Sequence, residues 1–137
     1  MSSIFDLHHS TNAVHALDLS NITSNTTTDG EILDTAGYEA LEFVAFSTNI
    51  TDGVYTLSLF DGDDAALADA AVVSDEETLG SGTNFVLTDD NTAKRIGYIG
   101  KKRYVRLRVT STGVTTGGNI GSVALLASAR TQPQADD

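Results

Sequence analysis

The sequence predicts an all-β fold, an antiparallel β-sandwich of about eight strands, and three observations carry that expectation. β-branched residues are abundant, with 18 Thr among 137 residues. Several short segments alternate apolar and polar side chains with a period of two. Turn signals recur every 8 to 12 residues or so, and no amphipathic stretch is long enough for a substantial helix.

Residues 1–30 read as an N-terminal arm or first strand. Ala13 to Leu19 is the candidate strand, and Ser20 to Gly30 is rich in Ser, Thr and Asn. The sandwich domain is expected over 31–130, followed by a polar tail at 131–137 that holds the single proline, Pro133. Glu31 to Asp34 is a short strand closed by Ala36-Gly37. In Leu41 to Phe46, Leu41, Phe43 and Ala45 share one face and Glu42, Val44 and Phe46 the other, so one face is fully buried and the other mostly so. Val54 to Phe60 places Tyr55, Leu57 and Leu59 on one side. The Asn49-Ile-Thr-Asp-Gly53 connection between these two strands predicts a hairpin.

Asp61 to Asp64 forms an acidic loop, Ala65 to Ala71 a helical turn, and Val72-Val73 a short strand. Gly80-Ser-Gly82 precedes a strand at Phe85 to Thr88, and Asp89-Asp-Asn91 is a turn. Arg95 to Ile99 and Arg103 to Thr110 flank Gly100-Lys-Lys102, which predicts a second hairpin. Val105, Leu107 and Val109 point one way while Arg106, Arg108 and Thr110 point the other. Gly113 to Gly118 is a loop, and Ile120 to Ala129 is a nearly all-apolar strand expected to sit centrally. The predicted core contains Leu41, Phe43, Leu57, Leu59, Val105, Leu107 and Val109.

A mass of 14.4 kDa suits one domain with its own core. The absence of cysteine removes disulfides, iron–sulfur clusters and thiolate zinc sites from consideration. No basic n-region follows Met1, and the longest apolar run, Val123 to Ala127, falls far short of a membrane span, so a soluble chain made in a cytoplasm is expected. The Asn-x-Thr triplets at Asn21, Asn25 and Asn49 therefore read as chance products of a Thr- and Asn-rich composition.

A formal charge of −11 opposes nucleic-acid coating and anionic membranes. The charge is also segregated. Seventeen of the 19 acidic residues precede Lys94, and seven of the eight basic ones fall between Lys94 and Arg108. Lys101, Lys102, Arg103, Arg106 and Arg108 are accordingly the candidate partner-binding residues, with neutralisation of carboxylates in the same domain as the competing role.

No chemistry-bearing motif is complete. Gly97-Tyr-Ile-Gly-Lys-Lys102 lacks the first glycine of a phosphate loop, where Arg95 stands, and its Ser or Thr, where Lys102 stands. Asp61-Gly-Asp-Asp64 with Asp69 lacks the glycine that a calcium loop needs at its sixth position. His8, His9 and His15 have no carboxylate at a zinc-like sequence spacing. There is no serine elbow, no histidine after His15, and no cysteine nucleophile. The expectation is a protein that is not an enzyme, with no catalytic residues, cofactor or metal site.

From about Glu31 to Arg130 the chain resembles a family of small virion proteins of tailed bacteriophages. The segments that carry the resemblance are Asp34-Thr-Ala-Gly-Tyr-Glu-Ala-Leu-Glu-Phe43, Thr51-Asp-Gly-Val-Tyr-Thr-Leu57 and, most specifically, Ile96-Gly-Tyr-Ile-Gly-Lys-Lys-Arg-Tyr-Val-Arg106. Phe5-Asp-Leu-His8 and the proline-containing tail fit as well. The resemblance implies a jelly-roll β-sandwich that decorates or cements the icosahedral head. Its implied partner is the major capsid protein and its location the outer surface of the capsid. A domain of this size at a shell symmetry axis gains contacts by repeating itself, so a homo-oligomer, dimer or trimer, is expected, and the charge argues against nucleic-acid and membrane partners. A head-fibre base, a neck or tail component and a carbohydrate-binding host-receptor module are the alternatives. Few aromatics are left over from the core to build a sugar platform.

Overall fold

A computed structural model of the chain describes residues 7–80, 85–87 and 90–129. Phe5 and Asp6, Ser81 and Gly82 of the glycine loop, Thr88 and Asp89, Arg130 and the 131–137 tail lie outside the described residues.

Alternation builds the strands. They are β1 (Thr11–Ile22), β2 (Thr27–Asp29), β3 (Leu33–Asp34), β4 (Tyr38–Thr48), β5 (Val54–Gly62), β6 (Ala71–Val72), β7 (Thr78–Leu79), β8 (Phe85–Leu87), β9 (Ala93–Tyr98), β10 (Tyr104–Thr112) and β11 (Gly118–Ala129). One sheet has the order β1-β11-β4-β9-β7. The other runs β2-β10-β5-β6, with β3 also on β10 and β8 also on β5. Every pairing is antiparallel.

Because β2 and β3 flank the same strand, and β6 and β8 do likewise, the sandwich reduces, among the described residues, to eight principal strands plus the short β7. In chain order these lie first-eighth-third-sixth in one sheet and second-seventh-fourth-fifth in the other, which is the strand order of a jelly roll. The expectation of about eight antiparallel strands therefore holds.

Between the sheets the period-two residues meet. Phe43, Tyr55, Leu57, Leu59, Ile96, Val105, Leu107, Val109 and Ile120 are buried, as are Leu41 and Leu126. All seven predicted core residues are among them. The strand expected at Ala13 to Leu19 is part of β1, which pairs along its length with β11. β11 in turn is enclosed by β1 and β4, so the most apolar segment has neighbours on both sides. Ala65 to Ala71 forms turns, closed by the amides of Leu67 on the Asp64 carbonyl and Ala70 on the Leu67 carbonyl, and leads into β6.

Both predicted hairpins are corrected. β4 pairs with β11 and β9, whereas β5 pairs with β10, β6 and β8, so the Asn49 to Gly53 connection crosses from one sheet to the other. The cause lies in the corner. The Thr51 amide bonds the Gly117 carbonyl, and the Asp52 carboxylate accepts the amides of Thr115, Thr116 and Gly117. These bonds tie the connection to a remote loop and pull it away from a tight turn. β9 and β10 likewise belong to different sheets. Between them Lys102 donates its amide to the Tyr98 hydroxyl at 3.0 Å, and the Ile99 amide bonds the Glu77 carbonyl.

Gly30 is a third crossing point. Its amide bonds the Leu107 carbonyl of one sheet, and the next amide, of Glu31, bonds the Ala16 carbonyl of the other, both at 2.7 Å. A Cβ at position 30 would sit 2.3 Å from the Ala16 oxygen and 3.0 Å from the Leu107 oxygen, so only glycine fits. Gly30→Ala is expected to cost about 1–2 kcal/mol, because the clashing atoms are backbone and can only move with their strands. Urea unfolding measures it, and an unchanged midpoint would contradict this close approach.

Candidate functional site

The two outer faces of the sandwich differ in chemistry, and the difference follows from which residues alternate outward. On β10 the outward residues are Tyr104, Arg106 and Arg108, opposite Phe60 and Ser58 of β5. On β11 they are Val123, Leu125 and Ala127, between His15, Ala13 and Thr11 of β1 and Val44, Glu42 and Ala40 of β4.

The candidate partner-binding cations divide between the charged face and the corner beside it, and most of them meet carboxylates of their own chain. Arg108 donates Nε to Asp29 Oδ1 at 2.5 Å and Nη2 to Oδ2 at 3.3 Å, while its guanidinium stacks 4.2 Å from the Phe60 ring centre. Arg106 Nη2 lies 3.6 Å from the same Asp29 Oδ2, and its Nε is buried without a hydrogen-bond partner among the described residues. Arg103 forms a two-point pair with Asp34, both bonds 2.8 Å. Lys102 Nζ reaches Asp63 at 3.0 Å. Lys101 is exposed and makes no side-chain ion pair among the described residues.

These contacts have an electrostatic signature. The Arg108 hydrogen bond holds the Asp29 carboxyl below its ordinary value, and Arg103 together with the Ala36 amide lowers Asp34 from 3.8 to about 2. Backbone amides depress Asp52 and Asp69. A carboxyl depressed in the folded state binds protons more readily when unfolded. Its contribution is therefore present above the unfolded value and is lost as pH falls through the folded one. The melting temperature should accordingly stay level down to about pH 4 and fall steadily towards pH 2 or so. Calorimetry across that range checks it, and a flat profile would contradict the pairing.

The acidic loop spends its oxygens locally. Asp69 accepts the amides of Asp63 and Asp64, and Asp64 accepts those of Ala66 and Ala68. Asp61 is buried and accepts the Tyr98 hydroxyl at 2.7 Å, and burial, together with this bond, pushes the Tyr98 phenol well above its ordinary value. These groups brace corners of the sandwich.

Two features were hidden from sequence spacing. His15, Asp18 and Glu31, two of them close in sequence and one on a different segment, bring an imidazole nitrogen and two carboxylate oxygens within 4.8 Å of one another. The other is the outer face of the five-stranded sheet. Leu7, Leu41, Leu79, Ile99, Leu125 and Ala127 help line a shallow groove of about 440 Å³ there. Leu7, Leu79, Ile99 and Val123 are 69%, 56%, 53% and 37% exposed. Glu42 and Arg95, 3.8 Å apart, neutralise each other beside the groove. The alternation that put Leu41, Phe43 and Ala45 on one face put Val44 and Phe46 on the other, a second apolar face expected to be mostly buried, which was the available signal. None of the protein-family models and none of the curated proteins matches this chain.

Proposed function

We propose that the chain is a non-enzymatic virion structural protein of the capsid decoration type, which binds the major capsid protein on the outside of the head through the outer face of its five-stranded sheet. The observation that supports this most is the apolar character of that face in a strongly acidic protein. An unpartnered sheet face with several exposed large aliphatic residues favours burial against another surface. The sequence resemblance supplies the shell as occupant. A second copy is the weaker candidate, because two such chains would bring acidic flanks together at a formal −11 each.

The intramolecular pairing of Lys102, Arg103, Arg106 and Arg108 reduces the part those cations play in docking, while Lys101 at the same corner makes no ion pair among the described residues. A dimer or trimer at a shell symmetry axis fits such a role, formed through surfaces other than the apolar face. The test is direct. Purified chain added to heads that lack it should bind at a fixed copy number per shell and raise their resistance to heat. Its absence from purified virions by mass spectrometry would overturn the reading, and its recovery with tails or neck alone would move it to another part of the particle.

A further inference from the structure

We infer that His15, Asp18 and Glu31 form a binding site for one divalent cation of the zinc class. The local backbone builds the site. In a regular strand residues three apart face opposite sides, which would separate His15 from Asp18. β1 is not regular there: its register against β11 shifts between His15 and Leu17 and again between Leu17 and Ser20. Ala16 and Leu17 are consequently both buried, Asp18 and Leu19 are both exposed, and His15 Nε2 comes within 3.1 Å of Asp18 Oδ1. Glu31 arrives from the segment between β2 and β3. Its own amide is bonded to Ala16, the residue inside the bulge, and the preceding Gly30 amide is bonded to Leu107. The third ligand is thus anchored to both sheets.

A second observation separates this cluster from six other carboxylates. Asp29, Asp34 and Asp63 are paired with Arg or Lys, and Asp52, Asp64 and Asp69 are bonded to backbone amides. Neither Asp18 nor Glu31 has a Lys or Arg partner among the described residues, and the chain contains no basic residue before Lys94. The two carboxylates can offset a divalent charge. An imidazole beside them favours zinc, cobalt or nickel over calcium or magnesium, which take oxygen ligands. Tetrahedral ligands at 2.0–2.1 Å from zinc lie about 3.4 Å apart, a contraction that exposed side chains can make by rotating. Water completes the coordination. The inference does not rest on the virion role, and a zinc-binding chain absent from virions would keep it.

Zinc chloride titrated calorimetrically into the metal-stripped full chain should show one equivalent bound. Glu31→Gln, which keeps the side chain's shape, and His15→Ala should each weaken binding at least tenfold or so, while His8→Ala/His9→Ala changes it less than about twofold. Amide shifts on zinc addition should centre on residues 15–18 and 31. Binding unaffected by Glu31→Gln, binding lost with His8 and His9, or shifts centred on 61–69 would each overturn the site. Circular dichroism of each variant separates loss of metal from loss of fold.

Discussion

Replacing Leu79 and Ile99 together by Glu is expected to lower occupancy on capsids about 100-fold while moving the melting temperature by no more than about 3 °C. The two side chains are more than half exposed, at 56% and 53%, so the isolated fold gains little from them. Both line the groove on the outer face of the five-stranded sheet, together with Leu41 and Leu125. If the shell covers that groove, each variant carboxylate must be buried without a partner, which costs far more than the lost aliphatic contact. A 100-fold loss corresponds to about 2.7 kcal/mol, a modest demand on two such burials. Occupancy on heads and thermal unfolding of the free chain are the two readouts. Parental occupancy in the double variant would remove this face as the docking surface.

The sandwich was legible because burial on a sheet repeats every second residue. Val105, Leu107 and Val109 could be assigned to the core from their spacing, and all three are buried. Alternation does not say which strand is the neighbour. In a jelly roll the long pairings are remote in sequence, β1 with β11, β4 with β11 and β5 with β10, whereas the consecutive strands β4 and β5, and β9 and β10, belong to opposite sheets. Short connections containing Asp-Gly or Gly-Lys therefore imitated hairpins. What redirects them is remote: Asp52 holding the 115–117 amides, and the Glu77 carbonyl receiving the Ile99 amide. The cluster of His15, Asp18 and Glu31 was hidden for a related reason. It needs a bulge at Ala16 and Leu17, and a bulge changes the facing of residues 15 and 18 without any residue type that announces it. Charge segregation was legible at once, yet the carboxylates these cations meet were not, because Asp29 and Asp34 lie about 70 to 80 residues from Arg108 and Arg103 in sequence.

That pairing makes the second large prediction. Arg106→Glu with Arg108→Glu is expected to destabilise the fold by about 2–3 kcal/mol, roughly 6–12 °C in melting temperature, while the protein that remains folded still attaches to the shell. Asp29 lies between the two guanidiniums, and side-chain exposures of 19% for Arg106, 28% for Arg108 and 37% for Asp29 leave the cluster partly shielded from solvent. Reversal would place three carboxylates where one is now shared by two cations, and would also remove the Arg108 stack on Phe60. The expected cost lies between an exposed pair and a fully buried one, because water still reaches one side. Arg106→Gln alone should cost less, since it loses an ion pair without adding repulsion, and Asp29→Asn in the double-reversal background should recover part of the loss. That recovery is the discriminating result: it requires the repulsion to be internal. If the double reversal instead left the melting temperature unchanged and abolished attachment, the cations would belong to the partner's surface and the apolar face would lose its claim.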